Sequence, residues 1–369
     1  MDPLRLEAMD ALVADLRIRC GGEIVVRDIL NAAMFPLVAR TCFGSGMSEG
    51  HVRAMTCSRP LCWPLMAPGI LRDPRRRSCY TGGSGAGSSP SEAGRQAELF
   101  LPLINARRNA NRHLRLSGGL PAYLDLLLDV RVPVDDHDDT TGGKAQRPLT
   151  DDELVSLVSE FLGAGPGTVV SSMEWTLAHL VLHPEVQNNI RHEVDAVEGA
   201  LSEARVRQMK YMRAVVLESL RFHPPIPFVM RDVPDQAVAA VVGCPAAVPT
   251  EGMRAHFNLG EIGRDKNAWN DPDTFRQERF LAGGEGEGVG LVPGPKEIKM
   301  MPFGAGRRAC PGGGLATMHI KSFIAALIRE FEWTPPVGGG VDLTELDGFF
   351  KVMKTPLRAR VTPRQRDSI

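Results

Sequence analysis

One cysteine in this chain sits where its thiolate could ligate a metal. The run Phe303-Gly304-Ala305-Gly306-Arg307-Arg308-Ala309-Cys310-Pro311-Gly312 ends a glycine-rich loop at Cys310, sets Arg308 two residues ahead of it and leads into an apolar helical pattern. A thiolate bound to haem iron needs this arrangement, because the anionic sulfur must approach the metal closely and be shielded from water. Gly304, Gly306 and Gly312 let the backbone fold tightly under a flat macrocycle and turn amide N–H groups toward the sulfur. Arg308 can reach a haem propionate with a charge-assisted pair. The bland alternative is a structural cysteine buried in a glycine-rich loop.

Other residue groups carry weaker chemical signals. Glu218 and Arg221, three apart in Glu218-Ser219-Leu220-Arg221, share one helix face and can pair. Taken alone, such a pair is an exposed ion pair in most proteins and contributes about 0–1 kcal/mol. The segment Ala164-Gly165-Pro166-Gly167-Thr168 places small residues before a hydroxyl inside a long apolar helix. Taken alone, Thr168 is a helix residue that bonds a carbonyl one turn back, and Pro166 removes an N–H from the helix interior. Arg231, in Phe228-Val229-Met230-Arg231, reads as a surface arginine as readily as a binding one. The acids of Asp135-Asp136-His137-Asp138-Asp139 admit a metal site, but a solvated loop is the favoured reading. Cys57, Cys62 and Cys79 cluster without a CxxC pair or a histidine partner.

The elements that must position these groups are mostly helical. Thr150 and Glu153 form a capping box, with Asp151 and Asp152 favoured by the dipole of the first turn. The apolar pattern Leu154, Leu157, Val158, Phe161, Leu162, Trp175, Leu177, Leu180, Val181 carries that helix to about His183, and Pro184 opens the next. A helix from Met212 to Phe222 stops at Pro224-Pro225, and the helix after Cys310 runs to about Phe331. Residues 226–262 hold short β-prone runs, including Val238 to Val242, and residues 341–361 read as loop and short strands. Residues 1–47 form two helices, the first with an apolar face of Leu4, Leu12, Leu16 and Ile18, the second from Val25 to Phe43. Residues 51–95, with Pro60, Pro64, Pro68, Pro74, Pro90 and the tract Thr81 to Ser91, have no period and read as a poorly ordered insertion. Helical patterning returns over 96–115, and 131–147 is a polar linker. The chain is thus divided into residues 1–50, 51–95 and 96–369, and is mainly α with a small β portion.

Bulk properties exclude several classes. The 43 basic and 44 acidic residues nearly balance, so no strong field draws the chain to nucleic acid or acidic membranes. Seven irregularly spaced cysteines fit a reducing compartment or a cytosol-facing membrane surface better than secretion. No stretch approaches the ~20 apolar residues of a membrane span. Met1 to Arg19 reads as an amphipathic helix, not as a signal peptide or anchor.

The cysteine run meets every specified position of the cytochrome P450 pattern Phe-x-x-Gly-x-Arg-x-Cys-x-Gly, and the other motifs stand in the order of that family. Lys296-Glu297-Ile298-Lys299-Met300-Met301-Pro302-Phe303 and Arg329-Glu330-Phe331-Glu332-Trp333 resemble plant microsomal A-type P450s, with the nearest likeness to the CYP89 group. The resemblance covers residues 96–362 and, more weakly, 1–47. It implies the α-rich P450 fold. The family's anchor, its Pro-rich hinge, most of its N-terminal β domain and its first helices find no counterpart, as in a truncated member. It also implies that Cys310 is the axial ligand of haem b, on a loop shaped by Phe303, Gly304, Gly306 and Gly312, with Arg308 and Arg231 at the propionates. Glu218, Arg221 and Arg279 of Gln277-Glu278-Arg279-Phe280 would form a buried structural network. Ala164, Gly165 and Thr168 would form the oxygen-activation segment, which departs from the family at its acid position, Gly167, and at Val169. The activity implied is a haem-thiolate monooxygenase. It would insert one oxygen atom of O2 into a small apolar substrate, with electrons from NADPH-cytochrome P450 reductase, at the cytosolic face of the endoplasmic reticulum. A haem-binding remnant without turnover is the alternative. An oxygen-independent isomerase or dehydratase is disfavoured by Thr168 and the intact cysteine loop.

Overall fold

A computed structural model of the chain describes residues 2–57, 90–110, 121–133, 146–232, 254–294, 297–348 and 350–364. In chain order the elements are α1 (Asp2–Arg19), β1 (Glu23–Val25), α2 (Val26–Phe43), α3 (Glu49–Cys57), α4 (Pro90–Asn109), α5 (Tyr123–Asp129), β2 (Arg131–Pro133), β3 (Gln146–Pro148) and α6 (Asp151–Leu182). There follow α7 (Pro184–Asp195), α8 (Glu203–Gln208), α9 (Lys210–Phe222), β4 (Phe228–Asp232), β5 (Arg254–Asn258), α10 (Leu259–Gly263), α11 (Gly313–Glu330), β6 (Phe331–Thr334) and β7 (Arg358–Pro363). They gather into two compact units, one built from the segments up to Arg19, from Arg27 and up to Val170, the other from Cys20–Val26 and Ser171 onward.

In the first unit, α1 buries Met9, Leu12 and Leu16, an i, i+3, i+7 stripe. Ile18, expected on that face, is 85% exposed, because the stripe runs through Met9 instead. The segment expected to be aperiodic over 51–95 is entered by α3, and α4 begins at Pro90, where proline suits a first helical turn. The stretch between them lies outside the described residues. Arg107 of α4 grips the buried Asp125 of α5 with two bonds of 2.8 and 2.6 Å. Asp125 also accepts the Ala122 N–H at 2.9 Å at the start of α5. Where a polar linker is expected, β2 and β3 pair antiparallel with Val132 opposite Arg147. The Asp135 to Asp139 cluster lies outside the described residues. The capping box of α6 forms: the Thr150 N–H donates to Glu153 Oε2 at 2.7 Å and the Glu153 N–H to Thr150 Oγ1 at 3.3 Å. That geometry, and Arg147 most of all, lowers the Glu153 carboxyl to about 2.

The second unit is built on the other half of α6, where Ser171 to Val181 are buried throughout, and on α11, buried from Met318 to Ile328. Its sheet has the order β1-β7-β6, with Ile24 opposite Ala359 and Trp333 opposite Val361. Gln187 of α7, 3% exposed, fastens β6. Its amide donates to the carbonyls of Leu180 and Trp333, and its oxygen accepts the Trp333 N–H. The β-prone stretch after α9 yields the antiparallel hairpin β4–β5, with Met230 opposite His256. The Val238 to Val242 run lies outside the described residues.

Candidate functional site

The cysteine loop leaves the buried pair Met300 and Met301 and enters α11 at Gly313. Gly304 and Gly306 take φ of 71° and 68°, the left-handed region open chiefly to glycine. Bonds from Gly304 N to Met301 O (2.9 Å), Ala309 N to Gly306 O (3.1 Å) and Cys310 N to Phe303 O (2.8 Å) close the loop. The Phe303 ring lies against the start of α11, where a Cβ on Gly313 would stand 3.2 Å from it. Gly312 passes beside the sulfur, and a Cβ there would be 3.7 Å from Cys310 Sγ. The Cys310 thiol is free and exposed.

Arg231, at the end of β4, donates to Met230 O at 2.7 Å and to Arg308 O at 3.5 Å. It therefore ties the hairpin to the cysteine loop through the Arg308 carbonyl, while the Arg308 residue is exposed. This donor set fits a haem. One free, exposed thiol could supply a single thiolate ligand to a haem iron, with guanidinium groups nearby for the haem carboxylates. Among the described residues no cluster of His, Cys, Asp and Glu could hold a bare metal ion instead.

Glu218, Arg221 and Arg279 converge in the same unit, each at most 1% exposed. Arg221 donates from Nε and Nη2 to the two Glu218 oxygens at 2.7 Å each. Its Nη1 donates to the carbonyls of Gly263 (2.6 Å) and Pro272 (2.9 Å). Glu218 Oε1 accepts the Arg276 N–H at 2.7 Å and Arg279 Nε at 3.4 Å. Arg279 also donates to the carbonyls of Asn270, Asp271 and Thr274 and to Glu285. The packing beside the network is Trp269, Phe280, Leu217 and Met300, with Trp269 under the Arg221 guanidinium at 5.3 Å. These bonds fix the irregular stretch that leads toward the cysteine loop.

Ala164, Gly165 and Thr168 lie in the half of α6 that belongs to the first unit. The helix continues through Pro166. Ala164 is exposed and Thr168 half-buried. The Thr168 hydroxyl donates to the Ala164 carbonyl at 3.1 Å, one turn back. Gly165 faces Val38 of α2, where a Cβ would make ordinary contact at 3.4 Å. Gly167 is buried.

The sequence model of the family described as "Cytochrome P450" matches residues 96–363. The chain belongs to the cytochrome P450 family. This P450 is 37% identical to cytochrome P450 89A9 of Arabidopsis thaliana over 361 residues, which is 92% of this chain and 65% of that protein. It is 39% identical to cytochrome P450 78A3 of Glycine max over 59% of this chain and 41% of the relative, and 32% identical to cytochrome P450 78A6 of Arabidopsis thaliana over 75% and 50%. The chain thus spans less than two thirds of the length of these relatives. A crystal structure of the cytochrome P450DA heme domain superposes with a TM-score of 0.71 at 20% identity, covering 99% of this chain and 73% of the other. A retinoic acid-bound cyanobacterial CYP120A1 gives the same score and identity over 99% and 76%. The fold is the α-rich P450 fold.

Sequence reasoning missed two features of this P450. The first is Glu285, whose carboxylate pairs with Arg279 and, at 3.2 Å, with Arg276. Burial opposes its ionisation, yet the Asn270 amide and the two guanidinium groups hold its carboxyl below the ordinary range. Two buried arginines and one glutamate leave a net charge, so a second carboxylate was implied, but spacing did not identify it. The second is a set of hydrogen-bonded rings around His179 and His223, which no motif marked. A further correction concerns membrane spans. Among the described residues α6 is long and apolar enough to cross a membrane, although half of its most apolar window is buried inside the protein.

Proposed function

We propose that this chain forms the core of a haem-thiolate monooxygenase, an oxidoreductase that inserts one oxygen atom of O2 into a small apolar organic substrate. Electrons come from NADPH-cytochrome P450 reductase, at the cytosolic face of the endoplasmic reticulum membrane. The observation that carries this reading is the free, exposed Cys310 thiol at the end of the family's glycine loop. Haem b, when bound, would supply the oxygen chemistry, with the Cys310 thiolate as an electron-rich ligand to its iron.

The chain's own residues do the rest. Cys310 ligates as the thiolate. Gly304, Gly306, Gly312 and Phe303 hold its loop tight against α11. Arg308 and Arg231 would meet the carboxylates of the cofactor. Glu218, Arg221 and Arg279, with Glu285, keep the preceding stretch in place. Thr168 holds a proton on its hydroxyl and passes it on, with Ala164 and Gly165 leaving its helix face slim.

A second reading rests on Gly167, which puts no carboxylate beside Thr168. The chain would then bind haem without productive turnover.

The test is the difference spectrum of the reduced, carbon monoxide-bound protein. Wild type should give the thiolate band and Cys310→Ser should lose it. A variant that keeps the band refutes the ligand assignment. NADPH consumption with reductase, matched against product formed, then separates turnover from binding alone.

A further inference from the structure

His179 on α6 and His223 at the C-terminal cap of α9 face each other with Nε2 atoms 3.1 Å apart, and both are buried. His223 Nδ1 lies 3.0 Å from Glu345 Oε1. Glu345 belongs to a loop pinned by its bridge to Met353 and by the Lys351 N–H on Pro225 O at 2.9 Å. The rings are stacked into an aromatic wall. Trp175 lies on His223 at 3.8 Å and 7°, Phe275 on His179 at 4.0 Å and 13°, and Phe222 meets His179 edge-on. His179 Nδ1 is buried with no hydrogen-bond partner.

This geometry fixes the protons. The Glu345 carboxylate accepts, so His223 carries its proton on Nδ1. A neutral His223 then offers its Nε2 lone pair, and His179 must donate from Nε2. The atom left over, His179 Nδ1, is a lone pair, not an N–H, and an unmet buried acceptor is more common than an unmet donor. An extra proton has no good place. On His179 Nδ1 it would create a buried N–H with no acceptor. On the shared Nε2–Nε2 line it would put a cation between apolar rings. The charged groups that face the pair compound this, since Arg264 lies over the Phe222 ring at 4.3 Å, Arg221 adjoins His223, and His183 stacks beyond His179 at 6.2 Å. Only Glu345 favours a charge, and Lys351 Nζ, 3.3 Å away, already offsets it.

We infer that Glu345, His223 and His179 form a one-way hydrogen-bond chain that locks α6 to the end of α9 and opens on acidification. Burial above all, with His223, His183 and Arg264 adding, holds His179 well below the ordinary imidazole value, and burial likewise lowers His223 against the pull of Glu345. Such groups stay neutral in the folded chain while the unfolded chain takes up protons below pH 6.5. Stability is therefore full above that pH and is lost as the pH falls from it toward the depressed folded values.

The test uses the full chain labelled with 15N in its histidines. At pH 7 the expected result is His223 protonated on Nδ1 alone and His179 on Nε2 alone. A doubly protonated His223, or His179 protonated on Nδ1, overturns the proposal. The second arm compares melting against pH for wild type and His179→Gln, whose amide can still donate to His223 Nε2. The variant should take up about one proton fewer on unfolding between about pH 5 and 6.5. Superimposable acid limbs would equally refute the lock. Should the variant fail to fold, the tautomer measurement on wild type decides alone.

Discussion

Arg221 and Gly263 are joined from both sides. The Arg221 guanidinium donates to the Gly263 carbonyl at 2.6 Å, while a Cβ on Gly263 would stand only 2.5 Å from the Arg221 carbonyl oxygen. The end of α10 therefore passes over the end of α9 at a distance that only glycine allows. Gly263→Ala should force the two helices apart and cost about 1–3 kcal/mol, read as a lower melting temperature. An unchanged melting curve would show that the contact relaxes freely.

Arg279 has two carboxylates, Glu218 and Glu285. Removing Glu285 leaves the buried Arg279 guanidinium short of countercharge, and removing Arg221 leaves the buried Glu218 carboxylate without its two-bond partner. Glu285→Ala and Arg221→Ala should each cost roughly 3–5 kcal/mol and yield protein poor in haem. The two losses should add to less than their sum in the double variant, because the groups share one network. Haem content at wild-type level in Glu285→Ala would place this acid outside the network.

The same carboxylate gives a pH signature. Glu285 is held below the ordinary carboxyl value of 4.5 when folded, so its contribution is present above that pH and is lost as the pH falls through the lowered value. Glu285→Gln should therefore flatten the acid unfolding transition below about pH 4.5, followed by far-UV circular dichroism. The loss from His179 and His223 begins at higher pH, below 6.5, and the separate variants Glu285→Gln and His179→Gln distinguish the two effects.

The elements were legible where chemistry is local. The Thr150–Glu153 box, Pro184 opening α7 and the stop after Phe222 each follow from backbone groups that need caps or cannot donate. The cysteine loop was legible because glycines, an arginine and a thiol recur at fixed spacing. What the sequence did not reveal is long-range. Glu285 is one acid among 44 acidic residues until folding brings it to Arg279. His179 and His223 belong to no motif, and only folding brings their rings together. Ile18 looked like a core residue because helical spacing alone leaves the phase of a stripe open by one residue.

Proton supply beside Thr168 is testable without a known substrate. Wild type should release much of its reducing power as peroxide, since Gly167 brings no carboxylate. Pro166→Thr with Gly167→Asp restores the helix N–H and the acid together, and should lower peroxide formed per NADPH consumed. Gly167 is buried, so the double variant should also melt earlier. If wild type consumes NADPH with little peroxide, another group supplies the protons.

The central strand of the three-stranded sheet has a consequence for biosynthesis. β7 lies between β1 and β6, pairing Glu23 with Arg360 and Trp333 with Val361, and the Val26 N–H adds a bond to Leu357 O at 2.9 Å. β1 leaves the ribosome long before β7, the strand it pairs with. Until β7 emerges, both flanking strands carry open edges, and the nascent chain must keep them apart from other chains. A ribosome that stops before Arg358 leaves a polypeptide with the whole cysteine loop yet no means of closing this sheet.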